Sequence, residues 1–166
     1  MTVSTATSAQ GMGYRWAQLV LGLIVMMSIS SPQYTWALFT GSLLKEYGVA
    51  LSTLQWAFSL LVIMQTFLSP LQANLVERFG ARTLISTGAV MSGASWILSA
   101  YVSNVWMLYL TYGVVGGFGT GIVYVGIIGL MVRWFPDRRG FATGLAAAGY
   151  GVGAILTTFP IADMLP

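Results

Sequence analysis

Apolar residues fall into five long blocks, at about 16–39, 53–76, 84–102, 105–132 and 141–161, with short polar stretches between them. About 20 consecutive apolar residues are needed for a helix to cross the hydrocarbon core of a bilayer. Each block is long enough, so the pattern predicts five transmembrane helices in an all-α integral membrane protein. None of the five contains Asp, Glu, Lys or Arg. The connections at 40–52, 77–83, 103–104 and 133–140 are short, which predicts that consecutive helices are antiparallel neighbours. Residues 1–14 are small and polar and predict a tail on the cytoplasmic side. Ser28–Ser31 could pass for a signal-peptide cleavage site, but the apolar run resumes through Trp36 to Phe39, so the first block is read as an uncleaved helix.

Composition points the same way. Of 166 residues, 57% are hydrophobic and 7% are charged; a soluble domain carries about 25% charged residues, so this chain has too little polar surface to cover a water-exposed globule. The net charge of +3 comes from bases set singly or in pairs at helix ends, which topology accounts for without a nucleic-acid partner. With the N-terminus inside, Arg15, Arg78, Arg82, Arg133, Arg138 and Arg139 lie on the cytoplasmic side and only Lys45 outside, a positive-inside bias. This predicts a multi-pass protein of the cell membrane. Trp16 and Trp134 then fall at the inner boundary, and Trp56 and Trp106 at the outer one. Cysteine and histidine are absent, which removes disulfides and the usual transition-metal ligands. No nucleophile–base pair is visible, and "GGFGTG" at 116–121 lies inside an apolar block with no preceding strand, so it is not a phosphate loop. No enzyme activity, cofactor or metal is expected.

The short loop 74–83, "NLVERFGART", places one acid, two bases and a glycine between two charge-free runs. Pro32 and Pro70 lie inside the first two blocks; each removes a backbone hydrogen bond and predicts a kink. The fourth block carries Gly113, Gly117 and Gly121 at four-residue spacing, beside a second row of Gly116, Thr120 and Tyr124. The fifth carries Gly140, Gly144, Gly149 and Gly153. Such rows permit close helix approach where lipid supplies no hydrophobic drive; they also suit helices that bend or slide. The polar groups within the apolar blocks are neutral. Gln33 and Tyr34 follow Pro32, and Gln33 should face the interior, because an amide facing lipid is costly. Tyr124 and Tyr150 lie too deep for an interfacial belt. Each is either bonded to a neighbouring backbone or part of a cavity wall.

These residues resemble a known family. "ANLVERFGAR" at 73–82 is similar to the loop signature between the second and third helices of the major facilitator superfamily. Glu77, Arg78, Gly80 and Arg82 fit it, Glu77 replaces an aspartate, and Ala73 replaces the first glycine. The resemblance implies that these residues form a cytoplasmic gate latch. "SPQYTWALF", "GTGIVYVGIIGLMVRWFPDRRGFATG" and "AAAGYGVG" look more narrowly like the oxalate/formate antiporter family. By that resemblance, the chain is the N-terminal half of such a helix bundle with five of its six helices. Gln33, Tyr34, Tyr124 and Tyr150 are then this half's share of a midplane pocket for a small carboxylate, and C-terminal helices outside this chain supply basic residues.

The expected function is therefore secondary active transport of a small organic anion by alternating access, with this chain an N-terminal fragment of the transporter. The alternative is a stand-alone, non-transport helix bundle or an inactive remnant, whose glycine rows would be docking faces for a partner.

Overall fold

The protein is described by a computed structural model over residues 6–164. The first span consists of α1 (Ala6–Ile29) and α2 (Ser31–Tyr47), jointed at Ser30. The second consists of α3 (Leu51–Phe67) and α4 (Ser69–Phe79), which meet at a 54° bend. The third is α5 (Ala81–Ala100). The fourth is α6 (Val105–Leu108), a π-helical segment (Tyr109–Gly116) and α7 (Gly117–Trp134), and the fifth is α8 (Arg139–Met164). With the bent pair taken as one span, five spans are long and apolar enough to cross a membrane.

Both proline breaks occur where the sequence places them. Pro32 and Pro70 each sit in the first turn of the second helix of a pair, where a missing N–H costs nothing. Several boundaries differ from expectation. Helix begins at Ala6, inside the stretch expected as a tail, of which residues 1–5 lie outside the described residues. Helix also continues to Tyr47, so the connection expected at 40–52 is only 48–50. It closes on Gly48 in the left-handed conformation, whose N–H is donated to Leu44 O.

The expected loop 74–83 is not a loop. It is helical on both sides of Gly80 alone, which has φ 88° and ψ 141°. Only glycine adopts that backbone without strain, so a single residue turns the chain from α4 into α5. The fourth span is not the continuous α-helix expected for 105–132, because the π-helical segment interrupts it. Tyrosines along that segment are anchored to neighbouring backbones: Tyr109 O–H donates to Thr53 O and Tyr112 O–H to Pro32 O.

The fourth span is the axle of the bundle. Within its apolar window 56% of residues are buried, against 17–33% for the first, third and fifth spans. One glycine row explains how the second span reaches it. A Cβ at Gly113 would meet Leu60 Cβ at 2.8 Å, one at Gly117 the Leu61 carbonyl at 2.5 Å, and one at Gly121 the Gln72 amide at 2.5 Å. Beside this row, Gly116 and Gly119 admit α5 at Ser95 and Gly88. In α8, Gly149 and Gly153 lie against Leu23 and Met27 of α1, whereas Gly140 and Gly144 face open space.

Two apolar clusters fill the interior. Leu19, Met26, Val123, Ile127, Met131 and Tyr150 belong to one, and Trp36, Leu54, Leu61, Leu108 and Tyr112 to the other. Trp36 is buried within the second cluster. Its ring stacks on Tyr112 at 4.7 Å and its indole N–H donates to Gln55 Oε1 at 3.0 Å.

Candidate functional site

Tyr150 is a hub. Its position on α8, between Gly149 and Gly153, lets the backbone of α8 press against α1 and carries the phenol into the bundle, where it is 7% exposed. The hydroxyl donates to Gln33 Oε1 at 2.8 Å and accepts from Gln65 Nε2 at 3.4 Å. Its ring packs edge-on against Tyr34, at 5.8 Å between centroids, and against Tyr124, at 5.6 Å. Residues of α2, α3, α7 and α8 therefore converge on one phenol, and of the four positions singled out from sequence Gln33, Tyr34 and Tyr124 each touch the fourth, Tyr150.

The joint at Ser30 explains the placement of Gln33 and Tyr34. It starts a new helix at Ser31, and Gln33 falls in the first turn, facing α8, while Tyr34 remains 46% exposed on the open side. Gln65 went unread in the sequence. It sits beside Thr66 and five residues before Pro70, in a run read for its apolar length and its proline, and nothing in that spacing aims its amide at Tyr150 on α8. The groups are amides and phenols, so this cluster offers hydrogen bonds and aromatic surface but no charge.

The second predicted set sits around Gly80, at the junction of α4 and α5. Glu77, Arg78 and Arg82 are all exposed, Arg78 lies over the neighbouring Phe79 ring at 5.8 Å, and Glu77 and Arg133 flank one groove of about 240 Å³. Among the described residues the one ion pair lies elsewhere, between Arg15 and Asp137. The Arg15 guanidinium also lies over the Phe135 ring at 4.7 Å. It ties the first half of α1 to the turn before α8, and its hydrogen bond to Asp137 holds that carboxyl below the usual range.

A family model described as Major Facilitator Superfamily matches residues 5–165. The chain belongs to the major facilitator superfamily. As a superfamily member it is an integral, multi-pass membrane protein, and its bundle is the N-terminal helix bundle of that fold. The chain is 38% identical to the oxalate:formate antiporter of Oxalobacter formigenes over 91% of its own length and 36% of the antiporter's. It is 31% identical to the MFS-type transporter YhjX of Escherichia coli K12, over 85% of this chain and 35% of that one. It is 28% identical to human monocarboxylate transporter 14, over 88% and 29%. The chain thus spans about a third of the length of these relatives.

Proposed function

We propose that this chain is the N-terminal part of a secondary active transporter that carries a small organic anion, of the oxalate, formate or monocarboxylate kind, across the cell membrane by alternating access. One observation carries the reading: the Tyr150 hydroxyl, deep among spans that carry no charge, is bracketed by two amides and two further phenols from three other spans. A buried O–H with a neutral acceptor suits exchange for a carboxylate oxygen, which accepts a stronger, charge-assisted bond. The names of the antiporter and the monocarboxylate transporter support the substrate class. The positive charge that an anion needs comes from helices beyond this chain. The basic end, with Arg15, Arg78, Arg82 and Arg133, faces the cytoplasm, and Glu77, Arg78, Gly80 and Arg82 latch the gate there.

The test is uptake of labelled oxalate, formate and lactate by the reconstituted full-length protein. Gln33→Ala and Tyr150→Phe weaken uptake of one of these anions while membrane abundance stays unchanged. Uptake unaltered by substitution at Gln33, Tyr34, Tyr124 and Tyr150 alike overturns the site.

A further inference from the structure

The bend in the second span has an internal brace that the proposed site does not use. At the end of α3, the Leu68 N–H turns to Thr66 O, so it no longer serves the Met64 carbonyl, its partner in an unbroken α-helix. Pro70 has no N–H to offer the next turn. The Ser69 hydroxyl covers two of the affected carbonyls, bonding Gln65 O at 3.1 Å and Thr66 O at 2.7 Å. The Met64 carbonyl is covered from the far side of the break, where Gln72 Nε2 donates to it at 3.1 Å.

Gln72 is completely buried, and its Oε1 has no partner. Reversing the amide would aim oxygen at the Met64 oxygen, so the observed orientation is the one that bonds. Half an amide left unpaired in an apolar interior is unfavourable, and an apolar side chain of the same size would avoid that. The position is held open by Gly121 of α7, where a Cβ would stand 2.5 Å from Gln72 Nε2 and 2.7 Å from its Oε1.

We propose that Gln72 is a positioning residue. Its amide, seated on Gly121, splints the break between α3 and α4 and thereby keeps Gln65, two residues before the end of α3, against the Tyr150 hydroxyl. The link to Tyr150 rests on the transport site proposed above; the splint itself does not.

The test uses spin labels at the exposed positions Leu51 and Phe79, at the two ends of the bent pair, in the full-length protein in lipid. Straightening a 54° bend between helices of 17 and 11 residues lengthens the end-to-end distance by about 4 Å at 1.5 Å rise per residue. Gln72→Leu and Gly121→Ala shift the distance distribution towards the longer value. Gln72→Glu restores the short distance near about pH 5, where a buried carboxyl is protonated and donates to Met64 O, and loses it near about pH 9. That reversal within one variant separates a splint from a folding defect. An unchanged distance in Gln72→Leu, or a pH-independent one in Gln72→Glu, overturns the proposal. In uptake assays Gln72→Leu raises KM several-fold at constant maximal rate. A lengthened distance with unaltered KM leaves the splint standing and overturns its link to the Tyr150 site.

Discussion

Gly153 of α8 and Met27 of α1 touch backbone to backbone: a Cβ on Gly153 would overlap the Met27 carbonyl and lie 2.5 Å from its Cα. Neither atom can rotate away as a side-chain tip can. Gly153→Ala therefore separates the two helices or strains them, at a cost of roughly 1–3 kcal/mol for overpacking. Thermal unfolding of the detergent-purified protein reports it as a lowered Tm. Gly144→Ala, whose added carbon meets nothing within 4 Å, leaves Tm near the parent value in the same assay.

Gln33 and Gln65 act on the same hydroxyl from opposite sides, one accepting and one donating. Removing either leaves the Tyr150 hydroxyl with half its partners, so under the proposed function their effects on uptake KM are coupled. A single net hydrogen bond is worth about 0.5–1.5 kcal/mol, which is about two- to thirteen-fold in KM. The double variant Gln33→Ala/Gln65→Ala departs from the product of the two singles, and a double-mutant cycle on uptake measures that departure.

The Arg15–Asp137 pair makes stability depend on acid in a defined direction. The Asp137 carboxyl is held below its ordinary value, first by the Arg15 hydrogen bond, then by bonding within its own turn and by the charges of Arg15 and Arg138. A depressed carboxylate contributes stability above its unfolded pKa, about 3.9, and loses it as pH falls through the lower folded value. The Tm difference between the parent and Asp137→Asn is therefore present at neutral pH and closes at acid pH. Because the pair is exposed, the difference is small and shrinks with added salt.

Gly80→Ala tests the one-residue turn. At φ 88° and ψ 141° a Cβ is strained whatever space surrounds it, and the cost is of order 1–3 kcal/mol. The expected readout is a lower Tm with unchanged helix content by circular dichroism.

The five spans were legible because a membrane helix announces itself through unbroken apolar length, and the two prolines marked the two breaks. Tyr150 was legible for a related reason, since a phenol in mid-span has no interfacial role. Gln33 stood out only because Pro32, Tyr34 and Thr35 surround it. Gln65 and Gln72 carry the same amide and flank Pro70, with Thr66 and Ser69 between them, but their partners, Tyr150 O–H and Met64 O, depend on how the helices pack across the break, which no residue spacing encodes. The π-helical turns at Tyr109–Gly116 were hidden likewise. Along them Tyr109 and Tyr112 bond carbonyls on other helices, contacts that the spacing of residues does not reveal. At Gly80 the polar residues around the turn resembled a loop, although they belong to two helix ends.

A joint of one residue has no slack. Glu77 and Arg78 ride on the last turn of α4 and Arg82 on the first turn of α5, so their spacing is set by helix geometry, like teeth cut into a key. A surface that meets this end of the bundle encounters a fixed pattern of charges rather than a tether that can rearrange to suit it. Inserting even one flexible residue beside Gly80 would uncouple the teeth while leaving every charge in place.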